Sequence, residues 1–216
     1  MSKENRTLDI LLDNISEDWI WRIKELDDFK TALEKTKDES TKSSLIRAGI
    51  TLLYAHWEGF VKKCSYNYYN FVTTKGFKLK ELSDSFVAIS MRKELNELID
   101  SRKVAKQSKA ISILFQEFDK RGMFPDDIPL KTSNLNFDIF EEYCTLIGIE
   151  TLPFETKRQF INQRLVANRN NIAHGKYLLI DEANFKEIFE LTLKLMKTFK
   201  DSIENSASLS SFKRVA

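Results

Sequence analysis

Glycine, proline, cysteine and histidine are all scarce in this chain of 216 residues, which has 6, 3, 2 and 2 of them. So few glycines and prolines leave almost nothing for the tight turns that a sandwich, barrel or propeller needs. That speaks against an all-β fold. The glycines at 49, 59, 76, 122, 148 and 175 spell neither G-x-G-x-x-G nor G-x-x-x-x-G-K-[ST], which removes the usual dinucleotide and P-loop phosphate cradles. Cys64 and Cys144 form no C-x-x-C, and two histidines give no zinc-ligand spacing. A metal site would have to be built from carboxylates, and neither a metal nor an organic cofactor is expected.

The amino-terminal MSKENRTLDILLDN has no basic start followed by an apolar run, so it does not read as a signal peptide. The most apolar stretch, Leu45 to Val61, carries Arg47, His56 and Glu58, and reads as a buried core helix before a membrane span. The expected setting is cytoplasmic, with free reduced thiols and no membrane partner.

What is present is a chain of 25.2 kDa with 42% hydrophobic and 31% charged residues, enough for one buried core. Apolar positions from Leu8 to Leu33 recur at helical spacing and predict a long amphipathic helix from Thr7 to about Lys37. The polar KTKDESTKSS breaks it. Ser40 or Thr41 is then the expected N-cap of a second helix running to about Thr73, with Gly76 as its stop. Residues 78–120 read as one or two helices. All three prolines lie between 125 and 153, so the main loop falls at RGMFPDDIPLKTSN. A short helix from Phe137 to Leu146 ends at Gly148, another runs from Glu155 to Ala173 and meets Gly175, and Asp181 caps a last helix. The tail SASLSSFKRVA is expected to fray. The sum is an all-α antiparallel bundle of six to eight helices in one domain, 1–216: an N-terminal helix over about 1–38, a first core helix over 40–74, inserted helices and loop over 78–135, further helices over 136–204, and a flexible tail over 205–216.

The net charge of +2 is a cancellation, because residues 1–50 sum to −2, 51–108 to +4, 109–150 to −4 and 151–216 to +4. Lys157 to Lys176 holds five basic residues (Lys157, Arg158, Arg164, Arg169, Lys176) and no acid, and Phe60 to Lys80 holds five lysines and no acid. Packed side by side, the two segments would make a positive groove able to steer a polyanion. The bland alternative is two solvated helix faces.

NRNNIAHGKY, Asn168 to Tyr177, carries the chemistry. On a regular helix Arg169 and His174 are about 140° apart, yet arginine is long and the helix must unwind at Gly175. A histidine at a helix C-terminus faces the negative end of the macrodipole, which favours imidazolium. Arginine offers a planar fork of donors suited to phosphate oxygens. Together they are the groups needed to cleave RNA without a metal: the histidine moves protons at the 2′-hydroxyl or the departing 5′-oxygen, and the arginine neutralises the phosphorane. The alternative is structural, with Arg169 paired to a surface acid and His174 capping its own helix.

Arg169 to His174, R-N-N-I-A-H, resembles the R-x4-6-H motif of HEPN-superfamily ribonucleases, in which a polar residue commonly follows the arginine, as Asn170 does. LLYAHWEGFVK, Leu52 to Lys62, resembles the first core helix of the RiboL-PSP-type HEPN branch of toxin and defence RNases. The resemblance covers roughly Leu45 to Ile203. It implies an all-α bundle that dimerises to join two Arg/His pairs in one cleft, and metal-independent endonucleolytic cleavage leaving a 2′,3′-cyclic phosphate. It implies Arg169 and His174 as the catalytic pair and Asn170 as an orienting residue. Single-stranded RNA or tRNA is the expected substrate, a homodimer the expected assembly, and an antitoxin or defence subunit a further expected partner. The rival class is a non-catalytic HEPN-like module that holds RNA or a partner protein. A third is a nucleotide-binding helical domain serving a separate nucleotidyltransferase.

The second helix also carries a polar stripe, Arg47, Thr51, Tyr54, Glu58, Lys62 and Ser65. Glu58 has two readings: an i,i+4 pair with Lys62, or a support that reaches Arg169 or His174 and fixes its orientation. Lys157, Arg158, Arg164 and Lys176 are candidate RNA contacts. His56 reads as a core histidine, with contact to the site as the alternative. Trp57 reads as core, and the tyrosines at 66, 68 and 69 are open between packing and base stacking.

Overall fold

The computed structural model describes residues 6–130 and 134–214. Helix α1 spans Leu8–Lys35, and its cap is Thr7, whose Oγ1 accepts from the Ile10 N–H at 3.3 Å. Helix α2 spans Glu39–Thr73. Its cap is Asp38, earlier than the expected Ser40 or Thr41: the Asp38 carboxylate accepts from both the N–H and the hydroxyl of Thr41, at 2.7 and 2.6 Å. A carboxylate satisfies the orphan amide and also favours the positive helix end, so it outcompetes the hydroxyls beside it.

The buried residues of α2 run round more than half of its circumference, from His56 through Trp57 and Tyr54 to Tyr69, and a helix buried so widely has to be surrounded. It is. Helix α1 runs antiparallel to it, with Arg22 beside His56 and Phe29 beside Gly49.

After a 3-10 turn at Leu79–Glu81 come α3 (Asp84–Ser90), α4 (Arg92–Asp100) and α5 (Val104–Glu117), three helices where one or two were expected. Helix α6 (Phe137–Ile147) ends at Gly148 in the left-handed conformation, φ 69°, as expected. The short α7 (Leu152–Glu155) lodges Phe154 against Phe140 of α6, with ring centroids 4.9 Å apart, and Phe140 in turn meets Trp57 at 5.1 Å. Each fully buried phenylalanine here contributes roughly 1.5–3 kcal/mol relative to exposure. The expected single helix from Glu155 to Ala173 is broken at its start and contains a π-helical segment, Phe160–Ala167, before α8 (Asn168–Ala173).

Helix α9 (Glu182–Ser208) has the expected Asp181 cap and runs parallel to α2, from the Lys42–Glu182 pair to the Tyr68–Ser206 hydrogen bond. The described residues thus hold nine α-helices and no strand, one helix more than expected. None is long and apolar enough to cross a membrane.

The tail does not fray over its described part. Phe212 is buried against Phe71 and Phe77, the Arg214 N–H donates to Glu81 O, and the Arg214 guanidinium pairs with Asp84.

Candidate functional site

Helix α8 lies antiparallel across α2, with Arg169 opposite Tyr54 and Glu58 and Tyr177 opposite Arg47. The polar stripe of α2 is therefore the face that meets the R-N-N-I-A-H segment. Arg169 is held from three directions. Its guanidinium stacks over the Tyr54 ring at 4.1 Å, donates to Asn170 Oδ1 at 2.9 Å, and lies 3.7 Å from Glu58 Oε2. Its side chain is 22% exposed, so part of it still faces solvent.

Glu58 meets both cations at once, since its other oxygen accepts from Lys62 Nζ at 2.6 Å. Ser65, at the end of the stripe, is buried and does not join the site.

Tyr54 is a site residue that sequence reasoning placed in the stripe without giving it a role. Its hydroxyl accepts from the Leu135 N–H at 2.8 Å, and burial, then the neighbouring Glu58 carboxylate, push its pKa above the usual phenol value. It stays protonated and serves Arg169 as a platform. Arg47 is a second such residue. It stacks on Tyr177 at 5.0 Å, just past the motif, and donates to Ser43 and Ser44. The signal for both was the stripe itself.

His174 is the C-cap of α8, with its amide donating to Asn170 O at 3.0 Å and its side chain exposed. Gly175 follows in the left-handed conformation, φ +73°, and ends the helix. Because the backbone is helical to Ala173, the separation of about 140° around the axis persists. Glu58, Arg169 and Asn170 are brought together within one chain, and His174 lies exposed at the end of α8.

The outer cations divide. Arg158 pairs with Asp138 and Glu141 and stacks on Phe137, and Arg164 pairs with Glu187 and Asn184. These two are engaged in holding α6 and α9, which weakens their candidacy as RNA contacts. Lys176 is exposed and Lys157 half-buried.

The joint positive groove does not form as expected. Of the lysine-rich segment, Lys62 shares Glu58 with Arg169, whereas Lys75 is seventeen positions beyond Glu58, on the order of 25 Å along the helix. Lys80 is paired with Asp119.

His56 is a core histidine, 3% exposed, on the far side of α2. Its Nδ1 lies 3.4 Å from Arg22 Nη1, and its Nε2 lies 2.8 Å from Glu25 Oε2 but off the hydrogen-bond direction. It does not reach Arg169. The tyrosines separate too: Tyr68 and Tyr69 are fully buried with Trp57, and Tyr66 is exposed.

Neither curated proteins nor solved structures gave a match to this chain. Among known families, residues 11–212 match the MAE_28990-like HEPN family, a span that includes every helix contributing to the Arg169 cluster. The match takes in α2 with its polar stripe and the R-N-N-I-A-H segment laid across it, and the chain belongs to this HEPN family.

Proposed function

We propose that this chain is a metal-independent endoribonuclease, acting as a toxin or defence effector in a homodimer with a composite Arg/His site. The observation that carries the reading is Arg169: a guanidinium fixed by Tyr54, Asn170 and Glu58, partly open to solvent, five residues before an exposed histidine at a helix end. A fixed fork of donors costs little reorganisation when charge develops on a phosphorane. An exposed imidazole is within reach of a substrate as a general acid or base.

In the reaction His174 takes the proton of the 2′-hydroxyl, whose oxygen attacks phosphorus. The 5′-oxygen leaves with a proton returned by an imidazolium. The products are a 2′,3′-cyclic phosphate and a 5′-hydroxyl, and Arg169 neutralises the oxyanions between. The divergence of Arg169 and His174 within one chain fits a site in which a second copy supplies the facing groups.

The test is cleavage of single-stranded RNA or tRNA in EDTA. His174→Ala is expected to lose about 10²–10⁴-fold and Arg169→Ala about 10²–10³-fold, while chelation leaves the wild-type rate unchanged. Loss of cleavage on chelation, or normal cleavage by both variants, overturns the mechanism. The rival, a non-catalytic module holding RNA or an antitoxin, draws on the same cluster, because Arg169 finds three partners inside its own chain. Partner or RNA binding without cleavage under any condition selects it.

A further inference from the structure

One helix face away from Glu58, α2 borders a cleft of about 610 Å³ shared with α1, α6 and the segment around Ile128. Its walls carry Arg22, Lys62, Lys63, Tyr66, Asp127 and Tyr143. Of its three cations, Arg22 is paired with Asp18 and Lys62 with Glu58, which leaves Lys63 as the wall cation with no acid against it among the contacts described.

The cleft is built. Arg22 is nearly buried and tied to Asp18 at 2.7 Å, and it lies flat across α2 because position 59 is glycine: a Cβ there would sit 2.9 Å from Arg22 Nη1. Tyr66 is 37% exposed, where Tyr68 and Tyr69 beside it are fully buried. Lys63 stands over the Tyr66 ring with its Nζ 5.9 Å from the centroid. Tyr143 closes the floor, its hydroxyl donating to Leu130 O at 3.3 Å. Lys62 is common to both regions, since it lines the cleft and donates to Glu58, which faces Arg169.

A simple anion would use the cations and leave the aromatic face and Asp127 without purpose. A nucleotide matches all three: a phosphate for Lys63, with Arg22 and Lys62 already paired to Asp18 and Glu58, a π-face for Tyr66, and exocyclic amines for Asp127. Tyr66 is eight positions from Glu58, about 12 Å along the axis. A stacked strand rises about 3.4 Å per nucleotide, so the cleft lies a few nucleotides from Arg169. Resting on the ribonuclease reading above, we propose that this cleft is a substrate subsite: it holds a nucleotide a few positions from the scissile phosphate, with the base on Tyr66 and the backbone on Lys63.

The experiment uses the full chain with His174→Ala to stop cleavage, and a fluorescein-labelled single-stranded RNA oligonucleotide titrated by anisotropy at several salt concentrations. Adding Tyr66→Ala is expected to weaken binding about tenfold or more, with Tyr66→Phe close to the parent. Adding Lys63→Ala should lower the slope of log affinity against log salt by about 0.7. In the His174-intact chain the same changes should raise KM and leave kcat. Helicity by circular dichroism accompanies each variant. Active enzyme in which the Tyr66 and Lys63 variants bind and cleave as wild type overturns the subsite and leaves the ribonuclease reading standing. Binding through Tyr66 and Lys63 with no cleavage by any variant supports the cleft and overturns the ribonuclease reading. Adenosine 5′-monophosphate bound as tightly as the oligonucleotide overturns the strand assignment in favour of a free-nucleotide site.

Discussion

Glu58 stands between two cations, Lys62 at 2.6 Å and Arg169 at 3.7 Å, and its carboxylate is the only charge that draws Arg169 toward α2 among the contacts described. Glu58→Gln keeps the shape and removes that pull. If Glu58 positions Arg169, kcat should fall about tenfold with KM little changed, because the loss is one of transition-state alignment. A variant with wild-type kcat would reduce Glu58 to a helix-surface partner of Lys62. His56, on the opposite face of α2, makes a different prediction. Burial and then Arg22 hold its pKa below the ordinary 6.5, against the pull of Glu25 and Asp18. Since the folded state resists protonation more than the unfolded state, stability is full above 6.5 and falls as pH drops through 6.5 toward the lower folded value. Urea unfolding at pH 8 and pH 5.5 should show that loss, and His56→Gln should flatten it. An unchanged slope would assign the acid sensitivity elsewhere.

At the scale of elements, two glycines separate steric from backbone control. Gly49 lets α1, α2 and α9 close together: a Cβ there would meet Phe29 at 2.6 Å and Phe185 at 2.7 Å. Gly175 has open space but a φ of +73°. Gly49→Ala should cost about 1–3 kcal/mol by overpacking. Gly175→Ala should cost about 1–2 kcal/mol through backbone strain, with Gly175→Asn milder than Gly175→Ala. Denaturant midpoints check both, and equal penalties for alanine and asparagine at 175 would remove the backbone account. Gly175, Gly148 and Asp181 were legible as stops and caps because each acts through its own backbone or its nearest neighbours. The start of α2 was less so, because Asp38, Ser40 and Thr41 all compete within a few positions. Helices α3 to α5 were merged because Met91 and Ser101 end elements without a glycine or proline to mark them. The tail was misread for a related reason. One aromatic residue, Phe212, docks it against Phe71 and Phe77, and a single anchor leaves no period to detect.

For the whole molecule, charge could be summed along the chain but not distributed in space. Arg158 and Arg164 find acids 17 to 23 positions away, and Lys75 to Lys80 sit at the far end of α2, so the two basic segments do not add. What the fold does deliver is one central helix with a polar stripe on the α8 side and an aromatic-lined cleft beside it. The composite-site reading then makes a geometric demand: two copies of α8 must approach across a two-fold axis with their His174 side chains near each other. The chain offers a clean way to measure it. Its two cysteines, Cys64 and Cys144, are both buried, and burial raises both thiols above their usual pKa, so neither supplies the exposed thiolate that a crosslinker needs. In a His174→Cys variant the introduced thiol is therefore the reactive one. A short bis-maleimide should convert that variant to a covalent species of twice 25.2 kDa, while the parent chain stays uncrosslinked. Light scattering on the parent should give the dimer mass without crosslinker. A parent that is monomeric at the concentrations where it cleaves RNA would sink the composite site, because each His174 would then have to act with the Arg169 of its own chain, about 140° away around the helix.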